Sequence, residues 1–411
     1  MHATRAPLPY WQLSGFYFFW AAVIGALMPY WGLYLRHQGH DEAAIGSLMA
    51  ILMGTQLVAP TIWGYLADRT GQRMRFVRLG IWLALGCFCG VFVDGGTGWM
   101  MLVLLGFGFF WNAMGPQFEA LTLSYLRGRP NGYSRIRLWG SIGFIVTVMS
   151  LGALLDLTGI AYLPWFIIAL LALVMLASYS VSDDATLVQQ RPPAGSFVAI
   201  LRRPPVLIFF VTCFLMQASQ GPYNTFFSIH LANHGYSGTA IGLLWSLGTT
   251  AEVGVFLLMH RLLGRCALPS ILLASLLLTA LRWLLIGSYA DQPGIMLLAQ
   301  SLHGATYGAF HAAAIELVRR YFSDGHAGQG QALYGGVAIG LGNAVGALYS
   351  GALWQALGPA QTFWCGAIIA LLAAILCRQG IRAAPEPQPS HPNPAPHGLP
   401  ALIGRLDDPQ S

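Results

Sequence analysis

The chain reads as an all-α membrane protein, and three observations carry that reading. Of its 411 residues 56% are hydrophobic and only 9% charged, against about a quarter charged in an ordinary soluble domain. Apolar stretches of about 20 residues, the length a helix needs to cross ~30 Å of hydrocarbon, recur twelve times. All 21 basic residues are arginines, and nearly all of them lie between the apolar stretches.

The spans fall at about residues 11–35, 43–66, 74–93, 99–126, 136–156, 160–182, 205–231, 239–262, 266–288, 293–319, 328–354 and 359–380. The first is too long for the apolar core of a cleavable signal and runs straight into the second, so it is expected to stay as a helix. With both termini cytoplasmic, the inner segments carry Arg5, then Arg69, Arg73, Arg75 and Arg78, then Arg127, Arg129, Arg135 and Arg137. They continue with Arg191, Arg202 and Arg203, then Arg261 and Arg265, then Arg319 and Arg320, then Arg378, Arg382 and Arg405. That puts 19 of the 21 arginines inside, leaving only Arg36 and Arg282 elsewhere, and the positive-inside rule orients the chain accordingly. The outer turns hold Asp41, Glu42, Asp94, Asp156 and Asp291.

The expected layout is two six-helix bundles, residues 1–182 and 205–380, joined by a polar, proline-containing cytoplasmic linker at 183–204. A tail at 381–411, with seven prolines between Pro385 and Pro400, cannot form a packed core and is expected to be disordered and cytoplasmic. The halves repeat each other: PYWGLYLRHQGHDEAAIGSL (29–48) returns as PYNTFFSIHLANHGYSGTAIGLL (222–244), matching Ala44-Ile45-Gly46 to Ala240-Ile241-Gly242. Parallel repeats of this kind place a substrate site near the membrane midplane, between the bundles. The six cysteines all fall in or at the ends of apolar stretches, so free thiols are expected.

Residues 64–73, GYLADRTGQR, join spans two and three, with Gly64 and Gly71 for close packing and a tight turn, and Asp68, Arg69 and Arg73 as charges. A charged turn is the plain reading. The string also matches the signature loop of the major facilitator superfamily, G-x-x-x-D-R-x-G-x-R, and by that resemblance it is a conformational latch, not a substrate contact. The second half keeps Gly264 and Arg265 at the equivalent place, in HRLLGRCA, without the acid.

Span four carries Glu119 in WNAMGPQFEA, and Arg137 follows 18 residues later in YSRIRLWGS. The pattern resembles that of lactose permease, in which an acid in helix four and an arginine in helix five are paired and hold the substrate. By the same resemblance Phe144, seven residues on, is an aromatic platform. Span eight places Glu252 in LLWSLGTTAEV, span nine Arg282 in TALRWLLIG and span ten His303 in SLHG. Those are the positions of the permease's proton-coupling groups. Within the superfamily the strings YSRIRLWGS, LLWSLG and AEV resemble the phenylpropionic acid transporter-like branch more closely. Thr306 and Val255 depart from the sugar permeases, and the permease's acid and lysine pair between helices seven and eleven cannot exist in a chain without lysine.

An ionisable residue at the bilayer centre costs ~3 kcal/mol, so each must face a cavity or a partner. For Glu119 two readings stay open, a substrate contact or an ion pair with Arg137 that ties two helices. Arg137 is alternatively an ordinary inner-surface arginine. Glu252 has no arginine within a helical turn, which makes it a candidate proton carrier or a permanently neutral structural acid. Arg282 either offsets Glu252 or snorkels outward. His303 belongs to the side-chain type that changes charge near neutral pH, or is a packing histidine; His311 is a weaker candidate. Glu316 has the i+3 and i+4 spacing to Arg319 and Arg320 of a surface ion pair. Asn112, Gln217, Gln220, Asn224, Tyr334 and Asn343 either reach the cavity or bond helix to helix.

A phosphate-cradling P-loop is impossible without lysine, and no H-E-x-x-H occurs, so neither an ATP-driven pump nor a metalloprotease is supported. A drug:proton antiporter is disfavoured because LWGSIGFIVTVMSLGAL (138–154) lacks the proline usual in that family's helix five. The reading is therefore a non-enzymatic importer of the bacterial inner membrane, multi-pass, needing no cofactor beyond the proton gradient and working as a monomer. Its expected partners are a small organic solute, protons and the lipid bilayer, not nucleic acid. An aromatic or other organic acid is the favoured solute and a sugar or nucleoside the alternative.

Overall fold

The computed structural model describes residues 8–126, 132–183, 196–322 and 325–381. Most of the expected linker and nearly all of the proline-rich tail lie outside the described residues, as do Arg5, Arg127, Arg129, Arg191, Arg382 and Arg405. The described residues are almost wholly helical. Eleven stretches are long and apolar enough to cross a membrane: α1 (Tyr10–His37), α2 (Glu42–Thr70), α3 (Arg73–Phe92), α4 (Gly96–Tyr125), α5 (Gly132–Thr158) and α6 (Ile160–Tyr179), then α7 (Pro204–Asn233), α8 (Gly238–Arg265), α9 (Leu268–Ser288), α11 (Ala327–Leu357) and α12 (Pro359–Gly380). Between α9 and α11 the tenth expected span is present in pieces, and these together are α10: an α-helix at Pro293–Ser301, a π-helix at Gly304–Gly308 and an α-helix at Ala309–Tyr321.

The internal repeat is realised at the level of caps. Asp41 accepts the Ala44 backbone N–H at 2.7 Å to start α2, and Ser237 accepts that of Ala240 at 3.2 Å to start α8. The matched Ala-Ile-Gly triplets therefore occupy the same first turn in both halves, where a side-chain oxygen satisfies an amide that the helix cannot. The free cysteines expected from their positions are found: all six are unbridged.

Within the first half α1 packs on α5 and α6, and α3 on α4; within the second, α9 and α7 pack on α12. Contacts between the halves run through α5 with α8, α2 with α11 and α1 with α7. Several polar links there sit at the end of the bundle that carries the acidic turns. Arg36 donates to Asn233, and Asp156 at the end of α5 accepts from the Gly238 N–H (2.6 Å), the Thr239 N–H (2.8 Å) and the Thr239 hydroxyl (2.6 Å). A large apolar cluster runs through both halves at this end, from Leu35 and Leu155 to Phe226 and Trp354. A second cluster, from Val206 and Phe209 to Leu317 and Phe322, draws its residues from the second half alone.

Asp156 thus caps the positive end of a helix belonging to the other half. Removing it in Asp156→Ala should weaken closure by about 1 kcal/mol, a roughly five-fold shift in population. Spin-label distances between Gln38 and His234 would report the shift as a larger fraction of long separations, and an unchanged distribution would refute the capping role.

Candidate functional site

The loop between α2 and α3 is built as its residue types require. Gly71 closes the helix at φ +73°, a left-handed conformation that side chains with a Cβ rarely adopt. Arg73 then turns back to Asp68 (2.6 Å) and reaches Gln117 of α4 at 3.2 Å. Gly64 lies one turn before Asp68, where a Cβ would stand 3.4 Å from the Gln117 amide. Asp68 is paired with Arg73, whereas Arg69 is exposed. Motif and neighbouring helix are therefore joined by polar contacts, with no ligand group implied.

A cavity of about 200 Å³ lies in the first half, lined by Phe16, Tyr17 and Trp20 of α1, Gln56 and Pro60 of α2, Trp111, Asn112, Phe118 and Glu119 of α4, and Arg137 of α5. Drug-sized sites run from about 300 to 1,000 Å³, so this space is smaller than those. Its lining is mainly aromatic, with Phe16 stacked on Phe118 (3.7 Å between centroids) and the Trp20 and Trp111 indoles parallel at 6.2 Å. Arg137 lies over the faces of Tyr17 (5.3 Å) and Trp20 (5.6 Å), where the ring quadrupoles attract its charge.

Glu119 and Arg137 are thus brought to one cavity but not to one another. The Glu119 carboxylate accepts the Tyr133 hydroxyl at 2.6 Å, and among the described residues no ion pair joins it to Arg137. Tyr133 stands one helical turn before Arg137 in YSRIRLWGS. Both side chains are exposed to the cavity space. Phe144 is not among the lining residues; it is half-buried against the apolar core. Asn112 lines the cavity and is anchored by donating to Thr55 at 2.8 Å.

In the second half the three expected charged groups converge. Arg282 is fully buried. It donates through Nε to the Ala299 carbonyl (2.9 Å) and through its terminal nitrogens to Gln300 (3.0 Å) and to His303 Nδ1 (2.9 Å). Its guanidinium also lies over Tyr223 (4.4 Å) and Trp283 (4.9 Å). The other ring nitrogen of His303 faces Glu252 at 3.7 Å. Arg282 therefore neither snorkels outward nor meets Glu252 directly; its influence reaches the carboxylate through the imidazole.

The α10 backbone makes room for this arrangement. Gly304 packs against the Ala251 carbonyl, and a Cβ on Gly308 would lie 2.9 Å from Glu252 Cγ. Two glycines a turn apart let α10 lie directly on α8 with the Glu252 side chain across it, and that turn is the π-helical segment. Single-turn π-bulges inside α-helices gather at functional sites.

Tyr133, Trp20, Tyr17, Gln300 and Tyr223 are site residues that the motifs alone left unread. Tyr133, Gln300 and Tyr223 stood within or one turn from a string already singled out, so helical spacing was the available signal, whereas Tyr17 and Trp20 lie in the first span, where no motif marked them. The remaining polar candidates mostly bond helix to helix, Asn224 to Asn343 at 2.9 Å and His311 to Tyr334 at 3.1 Å. Glu316 forms the expected surface pairs with Arg319 (2.7 Å) and Arg320 (2.8 Å).

Comparison with known proteins bears on what such an arrangement belongs to. The model of the MFS_1 like family matches residues 10–365. A probable 3-phenylpropionic acid transporter of Escherichia coli K12 is 30% identical over 381 residues, 89% of this chain and 96% of that protein. The maltose permease of Geobacillus stearothermophilus is 27% identical over 384 residues, 90% of this chain and 95% of the permease. Among solved structures, a variant of the nucleoside transporter NupG superposes with a TM-score of 0.80 at 18% identity, covering 91% of this chain and all of that one. The chain accordingly belongs to the MFS_1 like family, and is a multi-pass transporter of the major facilitator superfamily in the bacterial inner membrane, not an enzyme.

Proposed function

We propose that the protein is a proton-coupled importer of a small aromatic organic acid of the 3-phenylpropionate type. The observation that carries this reading is Arg137, a guanidinium unpaired with any acid among the described residues and set over two aromatic faces at the edge of an aromatic cavity. A carboxylate meets such a fork in a charge-assisted, bidentate contact, while an aryl ring fills the space beside Trp20 and Trp111. The relative with 30% identity, named for 3-phenylpropionic acid, agrees with that chemistry. Asn112 and Glu119 border the same space, and Trp20 and Trp111 take the stacking role that resemblance assigned to Phe144.

In this reading twelve spans form two six-helix bundles, 1–182 and 205–380, linked by 183–204. The arginine-bearing ends, both termini and the tail at 381–411 face the cytoplasm. The polar links at the opposite end hold the outer side shut, the Asp68 loop acts as a latch at the inner side, and the halves rock about the cavity. Glu252 carries the proton, with His303 and Arg282 holding its surroundings. The cavity lies within one chain, so a monomer suffices.

A neutral polyhydroxylated solute is the second reading. Glu119 favours it, being a carboxylate able to accept from hydroxyls, as does the maltose permease relative. Uptake into proteoliposomes of 3-phenylpropionate, benzoate, maltose and uridine separates the two. The acid reading expects the aryl acids to be taken up and Arg137→Gln to raise their KM at least about ten-fold, in keeping with the loss of a charge-assisted pair. Uptake of maltose or uridine with exclusion of the acids would replace it.

A further inference from the structure

Two histidines project from α10, and their hydrogen-bond partners differ in one chemical respect. His303 Nδ1 lies 2.9 Å from Arg282, and a guanidinium carries donors only, so this nitrogen has to accept. The ring proton of His303 then sits on Nε2, the edge turned to Glu252. A second proton, on Nδ1, would set donor against donor beside a fully buried cation. His311 Nδ1 instead lies 3.1 Å from the Tyr334 hydroxyl of α11. A phenol both donates and accepts. With Tyr334 accepting from Nδ1–H, the Nε2 lone pair of His311 is free, and the doubly protonated ring keeps the same hydrogen bond.

Tyr307 stands between the two histidines, one turn from each, and the three rings form a ladder. His303 and Tyr307 are 5.5 Å apart and inclined by 6°, and Tyr307 and His311 are 6.1 Å apart and inclined by 1°. Burial is the largest influence on the His311 ring, followed by the charges of Glu252 on α8, Arg137 on α5 and Glu119 on α4. The charged group of α9, Arg282, is engaged by His303, and Glu316 on α10 itself is bonded to Arg319 and Arg320. On α8, His260, Arg261 and Arg265 lie further along and are exposed.

We infer that His311, and not His303, is the histidine that changes protonation during transport, taking the proton that Glu252 gives up and passing it on to water. The inference rests on the reading of Glu252 as the proton carrier. In the step, the Glu252 O–H bond breaks and leaves a carboxylate. The proton travels through water and the Tyr307 hydroxyl, each oxygen accepting one proton and releasing another, and an N–H bond forms at His311 Nε2. The imidazolium then loses that proton to water on the inner side and the Glu252 carboxylate takes a new one from water on the outer side, so each cycle moves one proton and restores every group.

Ring-15N histidine NMR of the full chain between about pH 5 and 8, with signals assigned through His311→Gln and His303→Gln, tests this directly. His311 should pass from neutral to imidazolium while His303 keeps the Nε2–H tautomer throughout. A titrating His303, or a His311 that stays neutral, overturns the inference. Tyr334→Phe, which removes the hydroxyl but keeps the ring, should shift the His311 midpoint; an unmoved midpoint counts against the pairing. In proteoliposomes with 3-phenylpropionate, His311→Gln should slow pH-driven net uptake at least about ten-fold more than it slows exchange, and equal slowing refutes the relay. Failure of the Glu252 reading looks different, as equal loss of pH-driven uptake and exchange in Glu252→Gln.

Discussion

Glu252→Gln is expected to abolish accumulation of solute against a gradient, by at least about 100-fold, while solute exchange across the membrane survives. Glutamine has the shape of the protonated acid and can face His303 Nε2 as the carboxylate does, 3.7 Å away in the unaltered protein. It cannot release a proton. Net uptake needs the empty carrier to return after deprotonation, whereas exchange returns it loaded and needs no net proton step. Counterflow and pH-driven uptake measured on the same proteoliposomes decide the matter. Equal loss of both, in protein with normal yield and melting behaviour, would remove Glu252 from coupling and leave it a structural acid.

Arg282 should give the largest effect on stability. Its guanidinium satisfies the Ala299 carbonyl, Gln300 and His303 at once and lies over Tyr223 and Trp283, with no exposure at all. Arg282→Ala takes this donor from the Ala299 carbonyl and His303 Nδ1 and leaves Gln300 only the Tyr223 hydroxyl at 3.2 Å, and each buried group left unsatisfied costs about 1–3 kcal/mol. Arg282→Lys keeps the charge but offers a point where a planar fork is needed, so it should recover only part of the loss. Thermal melts in detergent with a thiol-reactive dye provide the measurement. A melting temperature unchanged in both variants would mean that the guanidinium is dispensable to the fold. The alanine variant also releases His303 Nδ1 from obligatory acceptance, so under the inference above His303 should begin to titrate in it.

The span positions were legible because hydropathy over some 20 residues integrates many weak preferences, and the observed helix ends lie within a few residues of those expected. The tenth span was legible as an apolar stretch but not as a broken one. Its π-helical turn arises from Gly304 and Gly308 lying on Ala251 and Glu252, a tertiary contact that no local pattern encodes. For the site, the 18-residue spacing brought Glu119 and Arg137 to one cavity, yet Tyr133 intercepts the carboxylate, and a spacing carries no information on a competing donor. Phe144 shows the limit of helical phase. Seven residues return a side chain to nearly the same face as Arg137 but about 10 Å further along the axis, beyond the level of the cavity. The Glu252, His303 and Arg282 set was legible as three expensive charges, whereas their order, with the imidazole between the other two, depends on which groups α8 and α9 turn toward α10.

The aromatic cavity is built from α1, α2, α4 and α5, and the carboxyl, imidazole and guanidinium chain from α8, α9 and α10. In the function proposed, recognition and energisation consequently occupy separate parts of the polypeptide. Substitutions at Trp20, Tyr17 or Asn112 can retune which solute fits without disturbing a single hydrogen bond of Arg282. Divergence of such a protein toward new nutrients is then a matter of drift on one wall, with the motor inherited intact on the other. Relatives named for an aryl acid and for a disaccharide, each aligned with about nine-tenths of this chain, are what that separation would leave behind.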